Sequence, residues 1–449
     1  MIWIELLILL ACIVIGARFG GLALGTVAGC GLAIFVFVLA MPPGGPPRAV
    51  IGMIIAVITA LATMQAAGGL DYLVSIAGRI LHKRPQLITF IAPVVTYALV
   101  FASGTTHVIY ALLPVIAEVS RKAGVRPERP LSISVIAGFQ GVMASPISAV
   151  MVALTGFLAV KDVSLPHVLA IIIPSTFLAV LVGALSVAWR GKPLSEDPEY
   201  QKRLAAGELK PAEALPAEAL PAFSGLGLFN ARGSTLTFFA GILLVVLIGI
   251  FPNLRPLYEK IENGAVDYDQ VGMDMAIMIV MLAIAGLITI LFKASPEATL
   301  KGTMMRSGVS AIISIVGVAW LGSSFFEANR QIIVNGISGV IAGHPWTFAA
   351  GLFLLSCLLF SGAATVVILM PVGLALGMPP SLLIAFYPAA NSVFFLPTYG
   401  TLLAAVNFDQ TGTTKIGRYL LNHSFMRPGL VTMATAILIA LLLVKIFPV

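Results

Sequence analysis

Apolar residues along this 449-residue chain come in long blocks, not in alternation. Runs of roughly 17–25 such residues match the hydrocarbon thickness of a bilayer. They recur at about 2–17, 20–41, 49–70, 165–189, 234–252, 271–292, 307–325 and 428–447, and each predicts a membrane-spanning helix. Four further apolar stretches are interrupted. Residues 86–121 and 347–377 read as helical hairpins, and 131–160 and 381–408 as helices broken in the middle. The one long polar segment, 190–233, reads as a flexible linker between halves 1–189 and 234–449. Each half opens with scaffold helices, 1–78 and 234–330, and continues with a hairpin and a broken helix, 85–160 and 345–408.

The interruptions repeat. Ser103-Gly104-Thr105-Thr106 leads through Leu113-Pro114-Val115 to Ser145-Pro146-Ile147-Ser148. Ser361-Gly362-Ala363-Ala364-Thr365 leads through Met370-Pro371-Val372 to Pro397-Thr398-Tyr399-Gly400-Thr401. Gly, Pro and hydroxyls placed together inside apolar sequence open the backbone, and lipid tolerates an open backbone only around a protein-lined or polar cavity. Matched interruptions in two halves point to the binding site of a secondary transporter. Ser, Thr and Gly also serve plain helix packing, and Pro also serves plain kinks. Two copies in register favour the site.

Composition agrees with this class: 59% of residues are hydrophobic and 10% charged, which leaves no room for a large soluble domain. The formal charge of +7 is read as topogenic, not as nucleic-acid binding, because basic residues remain on the cytoplasmic side. Arg79, Lys83 and Arg84 precede the first hairpin and Arg121, Lys122, Arg126 and Arg129 follow it. A re-entrant hairpin puts both clusters on one face. The linker then falls in the cytoplasm, the acidic loop with Glu259, Glu262, Asp267 and Asp269 outside, and both termini in the periplasm. The first apolar run lacks a basic flank and a small-residue cleavage site, so it is expected to remain as a helix. The three cysteines stand apart and no metal-ligand spacing appears, so no metal, cofactor or disulfide framework is expected.

The expected chemistry is anion binding without a buried cation. A helix starting at an open loop directs about half a positive charge at it, and two such starts suit two carboxylates. The helices after Ser103-Gly104 and Ser361-Gly362 supply these ends. Thr105, Thr106, Ser145, Ser148, Thr365, Thr398 and Thr401 supply donors, and Gly104, Gly362 and Gly400 allow close approach; Pro146 opens the first break. Asn391 and Gln140 hold comparable places before the two breaks, for substrate or for structure. His107, Arg129, Asp71 and Asp409 are candidates for coupling or steering. His107 also suits a structural role, Arg129 topogenic charge, Asp71 the water interface, and Asp409 a turn within residues 409–415. No nucleophile–base pair stands out, so an enzyme is not expected.

Several runs resemble the anaerobic C4-dicarboxylate transporter family (DcuA/DcuB): ATMQAAGGLDYL from residue 62, LPVIAEV at 113–119, RPLS at 129–132, ASPISA at 144–149, IPSTFLAVLVG at 173–183, and the specific run from Phe395 to Val431. The likeness implies inner-membrane exchange or uptake of fumarate, malate, succinate and aspartate in bacteria growing without oxygen. The paired motifs also resemble the SNT and TPxGTPxN signatures of divalent-anion:sodium symporters, within a superfamily of dimeric elevator carriers. Gly104 and Gly362 stand where those signatures carry Asn, which disfavours sodium sites. The fold implied is an all-α polytopic membrane protein of two inverted repeats, each with a re-entrant helical hairpin and a discontinuous helix, working as an elevator-type homodimer in the lipid bilayer. The alternatives are a sodium- or proton-coupled carboxylate symporter, or a dicarboxylate co-sensor whose partner is a membrane sensor kinase.

Overall fold

The computed structural model describes residues 2–19, 22–46, 48–209, 225–262, 265–359, 361–397, 399–417 and 422–447. Along the chain run α1 (Ile2–Phe19), α2 (Ala23–Ala33, prolonged by a π-turn at Ile34–Val38), α3 (Arg48–Ala66), α4 (Gly69–Lys83), α5 (Ile88–Ser103), α6 (Ile109–Lys122), α7 (Glu128–Ala144), α8 (Ala149–Leu158) and α9 (Leu165–Val187). After α10 (Pro198–Ala205) come α11 (Gly225–Ile250), strands β1 (Leu257–Glu262) and β2 (Ala265–Gln270), α12 (Met273–Phe292), α13 (Pro296–Lys301) and α14 (Thr303–Gly343). The last part holds α15 (Trp346–Leu359), α16 (Gly362–Ala375), α17 (Pro380–Phe386), α18 (Gly400–Phe408) and α19 (Met426–Ile446). Six helices of the described residues are long and apolar enough to cross a membrane, and α3 with α4, bent by 71° at their junction, would make a seventh. The protein is a multi-pass helical membrane protein.

The chain forms two compact units. Unit 1 comprises Met1–Tyr72, Val152–Leu169 and Phe223–Ile332, and unit 2 comprises Leu73–Met151, Ala170–Ala222 and Ile333–Val449. In unit 1, α3 packs on α12, α12 on α11, and α1 on α2. Close approach there depends on small residues: a Cβ at Gly317 would stand 2.0 Å from the carbonyl oxygen of Gly25. In unit 2, α7 is the central element. Every residue from Pro130 to Ala144 is buried, and α5 lies along it because Gly138 and Gly141 leave room for Ile109, Tyr97 and Val100.

The structure revises three expectations. The segment with Glu259, Glu262, Asp267 and Asp269 forms an antiparallel two-stranded sheet, with Tyr258 opposite Asp269 and Glu259 opposite Tyr268, so the fold is not strictly the all-α one expected. The polar segment 190–233 is ordered at both described ends. Asp197 accepts hydrogen bonds from the N–H groups of Glu199 and Tyr200 and caps α10, with Pro198 at its first position, and α11 already starts at Gly225. Residues 210–224 of that segment lie outside the described residues. Finally, the span expected at 307–325 is part of α14, a continuous helix of 41 residues and roughly 60 Å at 1.5 Å per residue.

Candidate functional site

All the described parts of the two interruptions lie in unit 2. The first tip forms because α5 ends on Gly104, whose φ of 66° is left-handed and whose N–H returns to the carbonyl of Val100 at 2.8 Å, the cap that glycine adopts at least cost. Thr106–Val108 then make one 3-10 turn into α6. The second tip is built differently. Ser361 is extended and its hydroxyl accepts from the N–H of Ala364 at 3.2 Å, capping α16. Pro114 and Pro371 sit inside the helices that follow the two tips.

The first break separates α7 from α8. Ser145 turns extended, and Ser148 accepts from the N–H of Met151 at 3.1 Å, capping α8. The second break is longer. It runs from a 3-10 stretch at Tyr387–Asn391 to α18, whose N-cap, Tyr399, offers no side-chain hydrogen bond.

These parts converge. A Cβ at Gly104 would meet Ile147 at 2.9 Å, so the first tip rests on the first break. A Cβ at Gly362 would meet the carbonyl oxygen of Ala390 at 3.1 Å and Oδ1 of Asn391 at 3.3 Å, so the second tip rests on the second break. The phenol oxygen of Tyr110 lies 2.4 Å from where a Cβ on Gly400 would be, the Thr106 side chain lies beside that of Tyr399, and the Tyr399 ring meets Phe139 edge-on at 5.5 Å. The first tip therefore lies against both breaks. The second broken helix also donates to the first: Asn391 Nδ2 to the Phe139 carbonyl at 2.8 Å and Tyr387 Oη to the Met143 carbonyl at 3.1 Å. The latter satisfies a carbonyl of the last turn of α7, where the helix offers no N–H.

The expected donors divide into two groups. Ser103 points at the carbonyls of Val100 and Thr105, at 3.4 and 3.3 Å. Thr365 bonds the Ser361 carbonyl at 2.9 Å, and Ser148 and Ser361 serve as caps. Asn391 is held by Phe139. Ser145 and Thr401, by contrast, are 0% and 1% exposed, and among the described residues neither hydroxyl has a hydrogen-bond partner. Pro146 lies in the turn between Ser145 and Ser148, and Thr105 is half-buried at the first tip. Thr398 and the side chain of His107 lie outside what the structure describes. Tyr110, Tyr387 and Tyr399 were not expected at the site; the only sequence signal was a phenol within or beside each interruption.

Two candidates for coupling or steering belong elsewhere in unit 2. Arg129 donates to the carbonyls of Arg190 and Gly191 at 2.8 and 3.0 Å, beyond the end of α9. Asp409 is buried in a turn: it accepts from the Thr411 and Thr414 N–H groups at 2.9 and 2.6 Å, from Thr413 Oγ1 at 2.8 Å, and from the Thr411 hydroxyl. Asp71 is exposed in the first turn of α4, in unit 1. Around the Asp409 turn, Arg126 pairs with Glu128 at 2.7 Å and with Asp197, and Ser424 donates to Glu128 at 2.8 Å. Burial alone would raise the Asp197 carboxyl pKa, but the N–H of Tyr200 and the Arg126 guanidinium outweigh it and hold it below the usual carboxylate range. His423 Nε2 donates to the Phe395 carbonyl at 3.1 Å while Nδ1 accepts from the Phe425 N–H at 3.2 Å. This fixes a neutral tautomer, and burial lowers its pKa.

Both tips and both helix breaks thus lie together in one unit of a multi-pass helical protein, the arrangement expected of a membrane transporter. Residues 1–448 match the profile of the anaerobic C4-dicarboxylate membrane transporters, and the chain belongs to that family. It is 40% identical to the C4-dicarboxylate transporter DcuA of Wolinella succinogenes, over 99% of this chain and 100% of that one. It is 40% identical to DcuA of Escherichia coli K12, over 97% and 98% of the two chains. It is 37% identical to the anaerobic C4-dicarboxylate transporter DcuB of Escherichia coli O6:H1, over 95% of each. Among solved structures the fold is similar to that of Neisseria gonorrhoeae MtrF, described as illuminating a class of antimetabolite efflux pumps, with a TM-score of 0.56 at 15% identity over 86% of this chain and 80% of that one.

Proposed function

We propose that this transporter exchanges one C4-dicarboxylate for another across the bacterial inner membrane, with fumarate, malate, succinate and aspartate as the substrate class. The observation that carries the reading is the pair of buried hydroxyls at the two breaks, Ser145 and Thr401, without a partner among the described residues. Leaving such a group unsatisfied costs about 1–3 kcal/mol, and a carboxylate oxygen at each would remove that cost. The start of α18, which the Tyr399 side chain does not cap, adds amide donors and partial positive charge beside Thr401. The named relatives are transporters of C4-dicarboxylates, which fits a ligand with a carboxylate for each break.

Antiport follows from charge. Two helix ends of about half a charge each do not neutralise a dianion, so an unaccompanied transit is costly. Exchange of one dianion for another leaves no net charge moved over the cycle. In the same reading each half is an inverted repeat with a re-entrant hairpin and a discontinuous helix, and both termini face the periplasm. The collection of both tips and both breaks in one unit supports an elevator in which that unit moves with the substrate, in a homodimer.

The test is counterflow of labelled fumarate into proteoliposomes loaded with unlabelled fumarate or succinate. Uptake in choline or potassium buffer is expected. Absence of counterflow with every C4 acid refutes the carrier reading, and a strict, saturable sodium requirement replaces exchange by symport.

A further inference from the structure

Unit 2 also holds a cavity that runs up to the first tip. It is a groove of about 540 Å³ between α4 and α5, floored by Leu181 of α9. From α4 it takes Leu73, Ile76 and Ile80, and from α5 Phe90, Val94 and Ala98. These residues recur at helical spacing on one face of each helix, so the lining is continuous and apolar. α4 and α5 share no extensive packing contact. The groove follows α5 from Phe90 to Ala102, about 18 Å at 1.5 Å per residue. That is close to the depth of one leaflet, roughly half of a ~30 Å hydrocarbon core.

Its two ends differ in chemistry. The far end, Ala102, adjoins Ser103 of the first tip. At the near end α4 finishes with Arg79, Lys83 and the following Arg84, all exposed. Among the described residues none of the three is paired with a carboxylate; Arg79 Nε reaches only the Ser75 carbonyl of its own helix, at 3.3 Å. An apolar slot one leaflet deep, with unpaired cations at its mouth, has the charge and length of one kind of molecule. We propose that the groove seats an anionic phospholipid, with an acyl chain along α5 and the phosphate at Arg79, Lys83 and Arg84. The chain then fills the space that α4 and α5 leave open and buttresses the hairpin that carries Ser103.

The experiment is native mass spectrometry of the full-length protein in mixed micelles that offer phosphatidylglycerol and phosphatidylcholine in competition. The wild type is expected to retain phosphatidylglycerol with a preference on the order of a hundredfold, the effect of three interfacial cations. Replacing them together, Arg79→Gln, Lys83→Gln and Arg84→Gln, should leave phospholipid bound without that preference. Ala98→Trp should exclude both lipids; Ile80→Trp, at a site 41% exposed on the same groove, serves if that variant does not fold. A wild type that retains neither lipid, or both equally, overturns the proposal. So does a triple variant that keeps the preference, a Trp variant that retains phospholipid like the wild type, or displacement of phosphatidylglycerol by millimolar inorganic phosphate.

Discussion

The two breaks use the same residue types for different work. At the first, a Ser on each side of a Pro-Ile pair divides the tasks: Ser148 caps α8, and Ser145 is buried with its hydroxyl unspent. At the second, Tyr399 does not cap α18 with its side chain, and Thr401, one residue into the helix, is a buried hydroxyl without a partner among the described residues. The first break is therefore complete in itself except for one donor. Among the described residues the second lacks both a side-chain cap and a partner for its hydroxyl, so a ligand has more to contribute there. Counting Ser and Thr at an opening overstates the number available to a substrate, because the opening itself consumes several of them.

The largest expected effect comes from the unspent donors. Thr401→Val and Ser145→Ala should each weaken dicarboxylate binding by about 1.5–3 kcal/mol, the cost of losing a hydrogen bond to a charged group. The same substitutions should leave the empty protein as stable or more so, because each removes an unsatisfied buried hydroxyl. Titration calorimetry and thermal unfolding on one preparation measure both. Lowered stability with unchanged affinity at either position would dissolve the distinction between spent and unspent hydroxyls.

Next in size is Gly104→Ala. A side chain at a φ of 66° costs about 1–2 kcal/mol, and the new Cβ would also press on Ile147. Slower exchange with a lower unfolding temperature is expected, while Gly45→Ala, where a Cβ meets nothing within 4 Å, should change neither. A smaller effect separates the caps. Ser148→Ala should cost about 1 kcal/mol of stability with little change in affinity, and Ser148→Thr should keep the stability as an alternative neutral cap; loss of affinity with unchanged stability would move Ser148 into the substrate's contacts.

The smallest effect is a pH dependence. His423 has a folded pKa below its unfolded value of about 6.5. Its contribution is fully present above that value and is lost as pH falls from there through the folded pKa. The unfolding temperature of the wild type should decline below about pH 6.5 more steeply than that of His423→Gln. Parallel profiles would show that His423 titrates alike in both states.

Much of this was legible beforehand because lipid punishes irregular backbone. Ser103-Gly104, Ser145-Pro146, Ser361-Gly362 and the Pro397–Thr401 stretch stood in two matched copies, which favoured breaks over plain packing, and described residues of all four lie at helix ends or breaks. What stayed hidden was how hydroxyls are allotted, since a capping Ser and a ligand-facing Ser are the same residue until the neighbouring N–H groups are placed. Tyr110 and Tyr399 were missed for a related reason: a phenol in apolar sequence looks like packing until a glycine such as Gly400 is found against it. Outside the membrane, local signals were present but outweighed by composition. Asp197-Pro198 is a helix start, and Asn263-Gly264 between alternating residues is a hairpin signal. The polar run after residue 325 looked like an end to the helix, yet α14 continues through it to Gly343.

The bond between Tyr387 and the Met143 carbonyl joins residues 244 positions apart, and this orders events during synthesis. At about 5–20 residues per second, the second broken helix leaves the ribosome roughly 10–50 s after the first. For that interval α7, destined to be buried all round, waits with the Phe139 carbonyl lacking Asn391 and the Met143 carbonyl lacking Tyr387. Unit 1 needs nothing beyond residue 332 and is complete while unit 2 still lacks α15–α19. A nascent chain halted between these points holds one finished body and one open one, with two carbonyls of α7 unsheltered, and it is there that a membrane chaperone or a quality-control protease would find its substrate.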